Sequence, residues 1–263
     1  MNFHQSTIKH VNRIEINVAD IKRQTDFYNH ILGLKVISST PTQTVLAVGT
    51  DGHEVVLKQL DNGRFASKTE AGLFHIAFLL SDVKQLGALI KHLSDEKIPI
   101  AGGDHLVSEA IYFNDLEGNG IEVYTDRPSE LWHWQNELVV MDTLQLEVTR
   151  ILTEAKGAKW EGMPADAKIG HLHLKTHDLS ASSEFYLQLG FQVASALPQA
   201  LFLSDQKYHH HIAINTWQSN QPLKDAEKTY GLTAFNIVDA KKGIEKYKTW
   251  RHLLIDFENF NNH

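Results

Sequence analysis

One layout recurs along this chain, and it limits the fold more than any other feature. Residues 169–186, IGHLHLKTHDLSASSEFY, read as a strand with two histidines on one face, then a turn, then a helix. VNRIEINVADIKRQTDFY, from Val11 to Tyr28, has the same layout. LFHIAFLLSDVKQL, from Leu73, is a third copy, and LTAFNIVDAKKGIEKY, from Leu232, is a weak fourth. In the two clearest copies an Asp stands eight residues before the Tyr of a Phe-Tyr pair, at Asp20 and Tyr28 and at Asp178 and Tyr186. Self-similarity of this kind marks a fold assembled from repeated modules.

The local pattern fills in each module. Residues 13–18 alternate polar and apolar side chains, as a strand with one wet face does. Asp20 is placed to cap the next helix, Ile21, Phe27, Tyr28, Ile31 and Leu32 supply its apolar face, and Gly33 ends it. Strands are expected over 34–38, 44–48 and 54–60, with Asp51-Gly52 as a hairpin signal. The unit is βαβββ. In the second unit Ser81-Asp82 caps a helix running to about Ser94, and strands are expected from Ile98, over 110–113 and over 120–124. In the third, the helix ends near Gly190, and strands are expected over 191–194, 200–203 and 208–217. The fourth keeps the first strand and a helix, with room for one or two further strands and not for a complete unit.

The expected fold class is therefore α+β: four βαβββ repeats, the fourth degenerate, forming two cup-like mixed β-sheet domains. Residues 8–126 hold two modules, 127–168 form a connector with a helix over 143–155, and 169–263 hold two modules, the last truncated.

Composition narrows the chemistry. The chain has no Cys, which rules out disulfides and thiolate metal sites, and it has 16 His. A transition metal here must be held by imidazole and carboxylate. The net charge is −7 with no basic tract, so nucleic acid is not an expected partner. The first ten residues are polar and no run is long enough to span a membrane, so the expectation is a cytoplasmic protein without a membrane partner. A homo-oligomer is compatible with the sequence.

Aligning the repeats on their capping Asp brings candidate ligands into register. Seven residues before it stand Arg13, His75 and His171, and in the fourth copy Ala234 falls opposite His75. The last strands offer Glu54, Glu122 and the run His209-His210-His211. One βαβββ unit is a half-open cup that closes only against another. If the second and third units pair, His75, Glu122 and His171 converge as a two-His, one-carboxylate facial triad, the donor set of non-haem Fe(II). Otherwise the site is incomplete. Pairing of those two is the reading adopted, because both retain histidine and the outer units do not. His75 alone on an apolar strand would more often be a core histidine, and Glu122 alone an exposed strand residue; the matching His171 weighs against both. On a strand His209 and His211 share a face. One of them, with His211 preferred, is a candidate fourth ligand or acid–base group, and the competing reading is a solvated strand end. His173 shares the face of His171 and is a further catalytic candidate, or else stands beside the ligands in support of them. His105 either lines the mouth or lies in a solvated loop, and Tyr112, Tyr124 and Trp217 are expected in the core or the pocket wall.

GLFHIAFLL, GGDHLVSEAIYFNDLEGNGIEVYTDRP, IGHLHLKTHDL and YHHHIAINTW together resemble the vicinal oxygen chelate superfamily, which holds glyoxalase I, bleomycin-resistance proteins and extradiol dioxygenases. Within it they are most similar to the two-half bacterial catechol 2,3-dioxygenase type. The resemblance spans about residues 8–240. It implies a ring-cleaving oxygenase that uses Fe(II), or alternatively Mn(II) or another divalent metal, on a small aromatic diol and O₂. It carries His75, Glu122 and His171 over as ligands. The chain departs from members whose last half holds the site, since its fourth unit offers Ala234 and no matching Glu. The alternatives on the same fold are a glyoxalase-type lyase or isomerase, which usually presents two carboxylates, and a metal-free binder of an antibiotic or other small molecule.

Overall fold

Each capping Asp binds as its position predicts. In the computed structural model, which describes residues 2–248, a side-chain oxygen of Asp20 accepts the backbone N–H of Arg23 at 3.0 Å. Asp82 accepts from Lys84 at 2.8 Å and Asp178 from Ala181 at 2.9 Å. These carboxylates satisfy N–H groups that a first helical turn leaves unpaired, worth about 1 kcal/mol each.

The first module is β1 (His10–Val18), α1 (Ile21–His30), β2 (Lys35–Ser39), β3 (Gln43–Val48) and β4 (His53–Gln59). The second is β5 (Gly72–Leu80), α2 (Val83–Asp95), β6 (Ala101–Asp104), β7 (Ser108–Asn114) and β8 (Gly120–Asp126). A small hairpin, β9 (Trp134–Gln135) and β10 (Leu138–Val139), and a short α3 (Val148–Glu154) follow. The third module is β11 (Lys168–Lys175), α4 (Leu179–Gln188), β12 (Gln192–Leu197), β13 (Ala200–Ser204) and β14 (Ile212–Asn215). Last come β15 (Gly231–Asp239) and β16 (Gly243–Lys248).

These strands form two curled mixed sheets, and each sheet draws on both halves of the chain. One runs β16-β15-β1-β4-β3-β2, joining the first module to the last. The other runs β12-β13-β14-β11-β5-β8-β7-β6, joining the third to the second. Its seam is the antiparallel pair β11 and β5, with His173 opposite His75 and Leu172 opposite Ile76. Strand β8 lies parallel on the far side of β5, with Glu122 opposite Ala77. Side-chain alternation then divides the seam. Leu172 and Leu174 are fully buried in the main apolar core with Ile14, Ile16, Ile76 and Val123, each contributing about 1.5–3 kcal/mol by burial. His171, His173 and Lys175 face the other way, into a cavity.

Four local expectations need correction. The fourth copy does not continue into a helix. Gly243, at φ 83°, turns the chain back, and Ile244 to Tyr247 pair with β15 as an antiparallel hairpin. Any further strands expected there fall at 249–263, outside the described residues. The connector helix covers 148–154 and not 143–155. Leu144 instead exchanges both backbone bonds with Asp104, at 3.0 and 2.8 Å, and Leu146 packs over Gly102, so 143–147 run along the edge of β6. β6 itself begins at Ala101, after Ile98-Pro99-Ile100. The expected strand over 208–217 is only 212–215. No helix among the described residues is long and apolar enough to cross a membrane.

Candidate metal centre

Two glycines let the strands that carry the donors close up. At Gly170, beside His171, an added Cβ would lie 2.0 Å from the Tyr124 hydroxyl oxygen. At Gly120, two residues before Glu122, it would lie 2.2 Å from the Phe74 carbonyl oxygen. Any larger residue would push β11 off Tyr124 or β8 off β5.

On this frame His75, Glu122 and His171 come together, each less than 10% exposed. Glu122 Oε2 lies 2.8 Å from His75 Nε2 and 3.1 Å from His171 Nε2, and the two Nε2 atoms are 3.4 Å apart. Among the described residues this is the one group of three or more His, Asp or Glu side chains clustered closely enough to hold an ion. Burial pushes the Glu122 carboxyl up, but the His171 and His75 imidazoles outweigh it and hold the group well below the usual carboxylate range. Burial lowers His171 to about 4 against the pull of Glu122. At neutral pH the cluster is thus a carboxylate facing an unprotonated imidazole, which is the protonation state a metal requires. Neighbouring ligands on an octahedral ion about 2.1 Å away sit about 3 Å apart, so this donor set fits a facial metal triad. His171 Nδ1 is buried without a hydrogen-bond partner. Its ring is held instead by the His210 ring, with centroids 4.0 Å apart.

The histidine run does not lie as alternation predicted. Gln206 and Lys207 take left-handed φ values of 57° and 60°, and the chain re-enters the sheet only at Ile212. His211 turns away from the triad. Its Nε2–H donates to the Phe3 carbonyl at 2.9 Å and its Nδ1 accepts the Asp205 N–H at 3.2 Å, so both ring nitrogens are spent and it neither joins the donor set nor faces the cavity. Burial lowers it to about 3. His209 also stands behind the cavity wall, its Nε2 bonded to Asp126 Oδ1 at 2.8 Å. His210, which alternation put on the opposite face, is the member that lines the cavity. Its Nδ1 is 2.7 Å from His209 Nδ1. Asp126 accepts from His209 Nε2–H, which leaves His209 Nδ1 as an acceptor. His210 Nδ1–H therefore donates, and its Nε2 keeps a free lone pair.

The cavity measures about 1150 Å³. His173 lines it as expected, with its Nε2 accepting from Asn215 Nδ2 at 2.8 Å. Burial and the neighbouring His75 and His171 keep it well below the usual imidazole range. His105 also lines the cavity and is 2.5 Å from the Tyr112 hydroxyl. Burial, then the Glu122 charge, raises the Tyr112 phenol well above its usual value. Phe74, Phe202 and Trp217 supply aromatic wall.

Comparison with known proteins agrees with this geometry. The family model for the glyoxalase/bleomycin resistance protein/dioxygenase superfamily matches residues 7–123. A catechol-2,3-dioxygenase of Bacillus subtilis (strain 168) is 34% identical over 244 residues, covering 90% of this chain and 84% of that protein. The chain belongs to this superfamily. A metallothiol transferase FosB of Staphylococcus haemolyticus (strain JCSC1435) is 29% identical over 121 residues, 45% of this chain and 84% of its own length. A glyoxalase I variant of Zea mays shares the fold with a TM-score of 0.51 at 14% identity, over 87% of this chain and 74% of that one. In this superfamily member, sequence reasoning missed His210 and the Asp126–His209 pair behind it. Only the contact between β8 and the loop after β13 reveals them, and no spacing within either segment signals it.

Proposed function

We propose that the protein is a metal-dependent extradiol dioxygenase that opens the ring of a catechol-like diol beside its two hydroxyls. The observation that carries this reading is the two-His, one-carboxylate donor set at the wall of a large aromatic-lined cavity. The similarity to the Bacillus subtilis catechol-2,3-dioxygenase over most of both chains supports it. His75, Glu122 and His171 would hold the ion, Fe(II) by donor type with Mn(II) as the alternative, and the ion would supply a shared binding point for the diol and O₂.

The chain's own residues do the rest. The lone pair on His210 Nε2 accepts the proton of a substrate hydroxyl, and the same nitrogen returns it after the ring opens. Asp126 and His209 fix the tautomer that makes this possible. His173, held by Asn215, lines the site as a neutral imidazole. Phe74, Phe202 and Trp217 offer faces for an aromatic ring and keep water from it.

The test is aerobic turnover of catechol by Fe(II)-loaded protein. A yellow ring-opened product with one O₂ consumed per catechol is expected, and its absence at full iron occupancy would overturn the reading. Glu122→Ala should lower the bound metal well below one per chain, measured by metal analysis. The similarity to FosB favours a second reading, thiol transfer on the same donor set. Anaerobic addition of a thiol to a supplied electrophilic acceptor, without catechol cleavage, would select it. One carboxylate in the cluster, with no second among the described residues, weighs against the glyoxalase-type donor set.

A further inference from the structure

The cavity continues beyond the triad along β11. His171, His173 and Lys175 alternate onto one strand face and all line it. Phe74, His173 and Trp217 pack on one another as an aromatic wall along this stretch, with ring centroids 4.8, 5.6 and 5.6 Å apart. Lys175 closes the far end. Opposite it in the ladder is Gly72, where a Cβ would meet nothing within 4 Å, so there is open space beside the lysine.

Lys175 and Lys68 are the lysines lining this cavity, and no arginine lines it. Lys175 Nζ donates to the Lys68 carbonyl at 3.3 Å and forms no ion pair with a carboxylate among the described residues. The acids nearby are occupied. Glu70 takes the Arg64 guanidinium at 2.8 and 3.3 Å and the Ser67 N–H at 3.0 Å. Glu117 takes the backbone N–H groups of Ala19 and Asp20. Asp142 takes the Thr143 N–H. Burial pulls the Lys175 ammonium below its usual range, with Glu70 partly opposing. A half-buried ammonium that faces a cavity and pairs directly with no carboxylate among the described residues gains most from an anionic group brought in by a ligand.

We propose that Lys175 determines specificity, selecting catechols that carry a carboxylate on a short arm. The diol sits at the triad and the carboxylate reaches the ammonium along the Phe74–His173–Trp217 wall. This rests on the triad being the diol site. The reach is reasonable: four residues along a strand separate His171 and Lys175 Cα atoms by about 13 Å, and a lysine stem and a carboxymethyl-substituted ring span that interval between them.

The experiment is an anaerobic calorimetric titration of iron-loaded protein with 3,4-dihydroxyphenylacetate and with the neutral 4-ethylcatechol. The acid should bind about tenfold more tightly, the scale of one charge-assisted hydrogen bond. Lys175→Met should abolish that preference while leaving the affinity for 4-ethylcatechol unchanged, and Lys175→Arg should keep it. Equal affinity for the two catechols, a preference that survives Lys175→Met, or no binding of either overturns the proposal. The wild-type comparison needs no variant to fold. Aerobic turnover separates the two claims. Lys175-dependent binding of the acid without ring cleavage sinks the dioxygenase reading alone, and cleavage of both catechols with equal kcat/KM sinks the specificity proposal alone.

Discussion

His210 and His211 are neighbours in the chain, yet one lines the cavity and the other bonds to the amino-terminal segment. Their variants should separate accordingly. His210→Asn is expected to lower kcat by about 10²–10⁴-fold, the usual weight of a positioned acid–base group, with bound metal unchanged on metal analysis. His211→Gln disturbs its bonds to Phe3 and Asp205, and should cost about 1–2 kcal/mol in urea unfolding while kcat holds. A reversal of the two results would remove His210 from the mechanism. His75 and His171 were legible from the sequence because repeat register places them at matching positions of the first strand, and Glu122 because it stands in the last strand of the same module as His75. The member of the histidine run that faces the cavity was not legible. Strand alternation was applied to residues 209–211, and these form a loop whose orientation is set by Asp126, more than eighty residues away.

Among the elements, β11 bears the tightest constraint, since Gly170 packs where the Tyr124 hydroxyl leaves no room for a side chain. Gly170→Ala is expected to destabilise the fold by about 1–3 kcal/mol through overpacking. It should also lower metal occupancy, because the strand that must move carries His171. A thermal melt and metal analysis on the same sample check both, and retention of full occupancy would show that Tyr124 yields instead. The three strong modules were readable from their capping aspartates and from the switch between strand and helix periodicity. The weak copy misled because Asp239 accepts the Lys241 N–H at 2.8 Å much as a helix cap would, while AKKGIEKY lacks an apolar stripe to separate helix from hairpin, and Gly243 decided for the hairpin. The connector helix was overestimated because Leu144 and Leu146 are claimed by the edge of β6, a tertiary contact that periodicity does not report.

For the whole molecule, the feature that most shapes how stability depends on pH is the number of histidines buried as neutral rings. Burial holds His171 at about 4 and His53 and His211 at about 3, and it also lowers His4, His10, His173 and His210. Their folded values lie below the unfolded value of about 6.5. Between the two the unfolded chain binds more protons, so stability falls as pH drops through that window. Glu122, depressed below its unfolded value, removes further stability in the same direction below about pH 4.5. The urea midpoint of chelator-treated protein should therefore fall from pH 7 to pH 5, with an uptake of more than one proton on unfolding, and a flat midpoint over that range would contradict the burial pattern. His53→Asn should shrink the slope. The sequence announced an abundance of histidine but not that so much of it lies between packed strands.

The exchange of modules between the two sheets also bears on how the protein can be divided. A cut in the connector near residue 140 leaves His75 and Glu122 on one fragment and His171 and His210 on the other. Neither piece owns a full set of donors, and rejoining them requires that β5 find β11 and that β1 find β15. After a split at that point, neither fragment alone should hold an ion at this site while the reassociated pair should, which metal analysis of the separate and mixed fragments checks.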